Sequence, residues 1–211
     1  MAGVHVSSHP LVAHHVVTLR DPATRPPEFR RLVRRLTRLL GYEATRDLPA
    51  REVSGPTPLG TAPGRRVEER IAIVPILRAG LGMAEGLLEM LPDAEVWHVG
   101  LVRDERTLEP REYYHRLPHD GGAAVAIVAD PMLATGGSAV RTCEILRAAG
   151  VRRIVCVALI AAPEGLARLE RAVPGITIHV AAVDAGLDDA GFIVPGLGDA
   201  GDRQFGTGGR P

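Results

Sequence analysis

The chain has no lysine: all 25 of its Lys+Arg residues are arginines. That excludes a Schiff-base or nucleophilic lysine. It also excludes a Walker phosphate loop, whose glycines must be followed by a lysine. A second absence is net charge, since 25 basic residues balance 25 acidic ones. Nucleic-acid binders usually carry a basic field, so that class starts behind. Long apolar runs are missing too. The N-terminus sets His5, His9, His14 and His15 among its apolar residues, a pattern of neither a signal peptide nor a membrane span. Cysteine is scarce, with Cys143 and Cys156 as the only two. Their spacing suits no metal site, so both are read as buried thiols in a reducing, cytoplasmic compartment.

What is present fits one domain, because 211 residues can enclose a single sizeable core. The most informative stretch is 125–150, VAIVADPMLATGGSAVRTCEILRAAG. Its apolar opening, 125–129, is too short for a helix and suits a strand buried on both faces. The chain then turns through Asp130 and Pro131 into the small loop Ala134-Thr135-Gly136-Gly137-Ser138. A helix follows, with Val140, Cys143, Ile145 and Leu146 as its apolar face and Gly150 as its stop. Unpaired N–H groups at a helix start, together with the helix dipole, suit a phosphate. Thr135 and Ser138 can add hydroxyl donors. The loop lacks G-x-G-x-x-G spacing. Read alone, it is either a phosphate site or the glycine-rich turn of an ordinary α/β protein.

Elsewhere, residues 1–20 carry scattered β-like valines and turn-like dipeptides, without a defined element. A helix is expected from about 28 to 40, where Phe29, Leu32, Val33, Leu36, Leu39 and Leu40 follow helical spacing. The arginines between 30 and 38 are read as its solvated face; the competing reading is an RNA-binding face, which zero net charge disfavours. Residues 49–66, rich in Pro and Gly, predict an irregular or β-hairpin connection. Strands are expected at 71–77, 95–102, 154–160 and 176–183, with helices after 82 and from 164 to 171. Pro75 within the first of these strands needs an explanation. The alternation predicts an α/β fold: a parallel sheet with helices on both faces and ligands at the carboxyl ends of its strands.

That rule gathers three loops at one rim: Arg78 to Gly82, Arg103 to Arg106, and Asp130 to Ser138. Two arginines beside a phosphate-shaped loop suit a pyrophosphate, because the guanidinium fork stays charged when desolvated. Residues 103–118 are polar and too long for a tight turn, as functional loops often are. The segment 191–207, GFIVPGLGDAGDRQFGT, lets the main chain approach a flat ligand through Gly196, Gly198 and Gly201.

A strand, an acid, T-G-G-S and a helix resemble the layout in which type I phosphoribosyltransferases hold a 5-phosphate and ribose hydroxyls. VPILRAGLGM, DPMLATGGSA and IVPGLGDAGDRQFGT together resemble the uracil phosphoribosyltransferase family. RDERTLEPREYYHRLP is similar to its long loop, and HPLVAHHVVTLRD and YEATRDLP to its N-terminal segments. Phe192 and Val102 stand where many members carry tyrosine. The resemblance implies a type I phosphoribosyltransferase fold with helices on both faces of its parallel sheet, in which about 1–70 and 184–211 form an arm or hood and base-binding segments around the core. It implies transfer of the 5-phosphoribosyl group from phosphoribosyl diphosphate (PRPP) to uracil, giving UMP and pyrophosphate. Arg78, Arg103 and Asp199 would be catalytic. PRPP would meet Arg78, Arg103, Asp130, Pro131, Met132, Leu133, Ala134, Thr135, Gly136, Gly137, Ser138 and Asp199. Uracil would meet Ile193, Gly198, Asp199 and Ala200. The Mg²⁺ cofactor would travel on PRPP, without protein ligands. The 103–118 loop would close over the substrate. A homo-oligomer and a GTP effector are implied as well, with no nucleic-acid or membrane partner. A purine in place of uracil is the alternative substrate.

Overall fold

The computed structural model describes residues 3–103, 110–118 and 122–208. The chain opens with β1 (Gly3–Val6), α1 (Pro10–Arg20) and α2 (Pro26–Ala44), followed by the hairpin β2 (Ala50–Thr57) and β3 (Gly60–Val67). Then come β4 (Ile71–Leu77), α3 (Leu81–Leu88), β5 (Glu95–Val96), β6 (His98–Arg103) and β7 (Pro110–Arg116). The second half runs β8 (Val125–Ala129), β9 (Met132–Leu133), α4 (Gly137–Ala148), β10 (Arg153–Ala161), α5 (Pro163–Ala172) and β11 (Thr177–Val183). It closes with β12 (Gly186–Leu187), β13 (Ile193–Val194) and α6 (Ala200–Phe205).

The main sheet has the order β1-β11-β10-β8-β4-β6-β7, with β5 beside β4 and β9 beside β10. Every pair in it is parallel except β6 with β7. Alternate residues of one strand enter different cores. Ile71 and Ile73 of β4 join α1, α2 and α3 on one face, whereas Ala72, Val74 and Ile76 join α4 and α5 on the other. A strand buried on both sides therefore reads as a continuous apolar run, as 71–77 and 125–129 do. Pro75 is tolerated for a specific reason. β4 pairs with β5 at Ala72 and Ile73 and with β6 at Ile76 and Leu77, so the proline falls where its neighbour is interrupted. A missing N–H costs least at such a break.

α2 is longer than its periodicity predicts. Pro26 and Pro27 open it, and Phe29, Leu32, Val33, Leu36 and Leu40 are fully or almost fully buried. Several of its arginines are engaged: Arg34 pairs with Glu85 at 2.9 Å and Arg38 with Glu89 at 2.5 Å, both on or just beyond α3. Arg31 pairs with Glu28 of its own first turn.

Three sequence expectations need correction. Residues 10–20 form a helix despite Val12, Val16 and Val17. His9 Nδ1 accepts from the Leu11 N–H at 3.1 Å, Pro10 sits in the first turn, and Val12, Val16 and Leu19 bury one stripe. Packing against α2 outweighs the weak propensity of β-branched residues. The segment after Arg103 is not all loop, because 110–116 returns as a strand antiparallel to β6; 104–109 lie outside the described residues. The expected loop at 130–138 contains β9, whose two residues pair with Ile160 and Ala161. Of the two forms expected at 49–66, irregular or β-hairpin, the chain takes the hairpin, formed by β2 and β3 in a sheet of their own. No described helix is long and apolar enough to cross a membrane.

Candidate functional site

The 130–138 turn is held from below by its neighbour strand. The Asp130 N–H donates to the Val157 carbonyl at 3.2 Å, and the Pro131 carbonyl accepts from Leu159 and Ile160, each at 3.1 Å. Leu133 is buried in the core, so a ligand can meet only its main chain. Gly136, with φ 76°, is left-handed and caps α4; a Cβ there would fall 2.7 Å from the Gly165 carbonyl. No other residue fits without moving α5. The Val140 N–H is bonded back to the Gly136 carbonyl, which leaves the N–H groups of Gly137, Ser138 and Ala139 without partners in the helix ladder. They surround a small concavity lined by Asp130 and residues 132–139. At its far end α4 stops as the sequence predicts: Gly150, with φ 82°, donates to Arg147, and Val151 donates to Leu146.

The end of β4 lies beside that of β8, with Pro75 opposite Ala129. Arg78 follows β4 directly, after a cis Leu77-Arg78 peptide. Its guanidinium donates to Asp202 Oδ1 at 3.1 Å and to Thr207 Oγ1 at 3.4 Å, and lies 5.8 Å from the centre of the Phe205 ring. It remains half exposed at the rim. Residue 78 and the 199–207 segment, distant in sequence, are thus adjacent. Arg103 ends β6 at the same edge of the sheet, and its side chain lies outside the described residues.

The glycine-rich segment hides a helix that its composition did not suggest. Asp199 is the N-cap of α6, accepting from the Asp202 N–H at 2.8 Å. Ala200, Gly201 and Gln204 are buried beneath it. Ile193 is buried in β13, whereas Gly198, with φ 73°, is exposed. The site residues expected from sequence, Arg103 aside, therefore fall into two groups: 130–138 around the start of α4, and 193–200, where Arg78 meets α6 through Asp202.

Four residues that sequence reasoning did not single out support the second group. Gln204 Nε2 donates to the Ala79 carbonyl at 2.7 Å and to the Ala200 carbonyl at 3.1 Å, joining the β4 loop to α6. Arg203 donates to the carbonyls of Leu19, Leu197 and Asp21 and lies over Phe29, 4.4 Å from its centroid. Burial lowers its affinity for a proton, offset in part by the nearby Asp21. Arg20 and Asp184 form an ion pair beneath the Gly196 turn. The only signal for Arg203 and Gln204 was their place inside the 191–207 motif. No spacing in the sequence links 20 with 184.

Other chemistry is disfavoured here. Burial pushes the Cys143 thiol up to about 12 and also raises Cys156 well above the ordinary thiol value, so neither is a thiolate near neutral pH. No group of three or more His, Cys, Asp or Glu side chains among the described residues could hold a metal. Asp199 serves as a cap and Asp202 is engaged by Arg78.

A parallel sheet with a glycine loop at a helix start and an arginine at the next strand end is the architecture of a type I phosphoribosyltransferase. The fold superposes on a hypoxanthine-guanine phosphoribosyltransferase from Bacillus anthracis with a TM-score of 0.52. That match covers 75% of this chain and 80% of the other at 12% identity, so it speaks for the fold alone. The family is more specific. The profile described as uracil phosphoribosyltransferase matches residues 6–207. A uracil phosphoribosyltransferase from Roseiflexus sp. (strain RS-1) is 53% identical over 208 residues, covering 99% of this chain and all of the relative. The solved structure of the AQ2163 protein from Aquifex aeolicus matches with a TM-score of 0.91 and 40% identity, over 96% of this chain and 98% of that one. The chain belongs to the uracil phosphoribosyltransferase family.

Proposed function

We propose that the protein transfers the 5-phosphoribosyl group of PRPP to uracil, forming UMP and pyrophosphate. The observation that carries this reading is the meeting of Arg78 with the 199–207 segment, beside the phosphate-shaped turn. A base, a ribose and two phosphate groups would then lie along one rim. In the reaction the bond from C1′ to the pyrophosphate oxygen breaks, and both electrons leave with pyrophosphate. A bond from C1′ to uracil N1 forms, and the N1 proton is released.

Charge separation creates the barrier, so the useful groups are those that face developing charge. Arg78, and Arg103 from the end of β6, would neutralise the leaving pyrophosphate by electrostatic preorganisation. The N–H groups of 135–138 would hold the 5-phosphate at the start of α4, and main-chain groups of 131–134 would shape its floor. Asp130 would accept from the ribose hydroxyls. Asp199 would stand where base meets ribose. Magnesium, as part of the PRPP substrate, would add positive charge at the diphosphate.

Uracil presents carbonyl, N–H and carbonyl along one edge. Main-chain groups at Ile193 and at 198–200 would read that edge, which disfavours cytosine because its amine would meet a donor. Rejection is strong when a mismatch leaves buried polar groups unpaired. Assembly as a homo-oligomer and activation by GTP follow from the family resemblance. The test is UMP formation from uracil and PRPP with Mg²⁺, in parallel with cytosine and hypoxanthine. Product from uracil alone supports the assignment. Equal or greater turnover of hypoxanthine would transfer the site to purines.

A further inference from the structure

The base segment touches a part of the molecule that carries none of the residues assigned above. Arg20 ends α1, and both of its terminal nitrogens reach Asp184, at 2.7 and 2.5 Å. The same guanidinium donates to the Gly196 carbonyl at 2.7 Å, and the Gly196 N–H donates to Asp184 Oδ2 at 3.0 Å. The four bonds form a closed ring around one turn. Asp184 is 94% buried by side chain, from its 6% exposure, and Arg20 retains 23%. In so dry a place the bidentate geometry is strong and directional.

The turn this ring holds abuts the groups that would read a base. Gly196 has φ 64°, and its backbone folds over Ile193 so closely that a Cβ would lie 2.0 Å from the Ile193 carbonyl. Two residues later comes Gly198. Arg203 adds a second tie from α1, through Leu19 at 2.8 Å and Leu197 at 2.9 Å. The end of α1 is therefore fastened on both sides of the 196–198 turn.

We propose that Arg20 and Asp184 are positioning residues for nucleobase selection, setting through Gly196 the spacing of the main-chain groups at Ile193 and 198–200. The assignment rests on the uracil-binding reading above. Among the described residues the hydrogen bonds of both side chains run to each other and to Gly196, not to the phosphate turn or Arg78. Its signature is consequently a defect confined to one substrate.

The experiment compares Arg20→Lys and Asp184→Asn with the wild-type protein. Lysine keeps the charge and loses the fork, while asparagine keeps the shape and loses the charge. KM for uracil is expected to rise roughly ten- to hundredfold, as small misplacements do. KM for PRPP and kcat at saturating uracil are expected to stay within about twofold. The preference for uracil over cytosine should narrow at the same time. A purely structural pair would lower thermal stability and shift both substrates together, and that result overturns the proposal. So does an unchanged KM for uracil in Arg20→Lys, which is the milder variant if Asp184→Asn fails to fold. A wild-type protein that forms no UMP would instead remove the uracil reading, and this proposal with it.

Discussion

The phosphate turn and the base segment are both glycine-rich stretches at the same rim, yet they are built in opposite ways. Residues 130–138 are framed by what immediately surrounds them: β8 before, α4 after, and β10 alongside. Residues 184–207 contain only two-residue strands and a six-residue helix. Their main chain is held by Arg20, 176 positions from Gly196, and their Arg203 reaches back 184 positions to Leu19. The difference suits the ligands proposed for each. A phosphate is charged and nearly symmetrical, so a generic helix start suffices to attract it. A flat, neutral base is distinguished only by donors and acceptors at fixed separations. A short segment cannot hold those separations by itself.

Replacing Gly136 with Val should produce the largest effect and break the local side of this comparison. The left-handed φ and the 2.7 Å approach to Gly165 leave no room for a side chain. Activity is expected to fall by more than about 100-fold, with the loss appearing in PRPP binding measured directly. Retained PRPP affinity would show that the turn is not the phosphate site. Next comes Arg78→Ala, which removes the group between the two regions and should lower kcat/KM for PRPP by roughly 100-fold. An unaltered value would disprove the leaving-group role.

Gln204→Leu tests the long-range side. It removes the side-chain donor that ties the Ala79 carbonyl to α6, a loss of about 1–3 kcal/mol in unfolding free energy by urea titration. A neutral result would mean that α6 is held without that link. The mildest effect is expected far from both regions, at the β1–β11 edge. His179 stacks on His5 with centroids 4.9 Å apart. Burial, then the neighbouring His5, lowers its pKa from 6.5 to about 4. Between those values the unfolded chain binds more protons than the folded one. Stability that is complete above pH 6.5 is therefore lost as pH falls toward 4. His179→Phe should lack this part of the slope, so the Tm advantage of wild type over variant shrinks from about pH 7 to about pH 4.5. A constant difference would contradict the shift.

The two regions also differed in how far they could be read in advance. The strand at 125–129, the turn and the helix with its Gly150 stop were visible because hydrophobic period and turn residues act over a few positions. The same logic located α2 and the β2–β3 hairpin. It failed for α1, whose valines follow no strand pattern and fold into a helix because α2 offers a surface to bury them. It failed for α6 as well, since Ala200, Gly201 and Gln204 are helical where Asp199 caps them and the core covers them. Arg103 was placed correctly at a strand end, while the strand at 110–116 was hidden by its charged and polar composition.

The order of letters alone determined the parallel α/β sheet, the phosphate-shaped turn and the family, because each depends on residues close together in the chain or on motifs kept intact. Tertiary structure decided which distant residues brace the rim: Arg20 with Asp184, Arg203 with Leu19, Gln204 with Ala79. Such contacts join a side chain to backbone or to another side chain across more than a hundred positions. No periodicity encodes them, for they exist only once two cores have formed on opposite faces of the sheet.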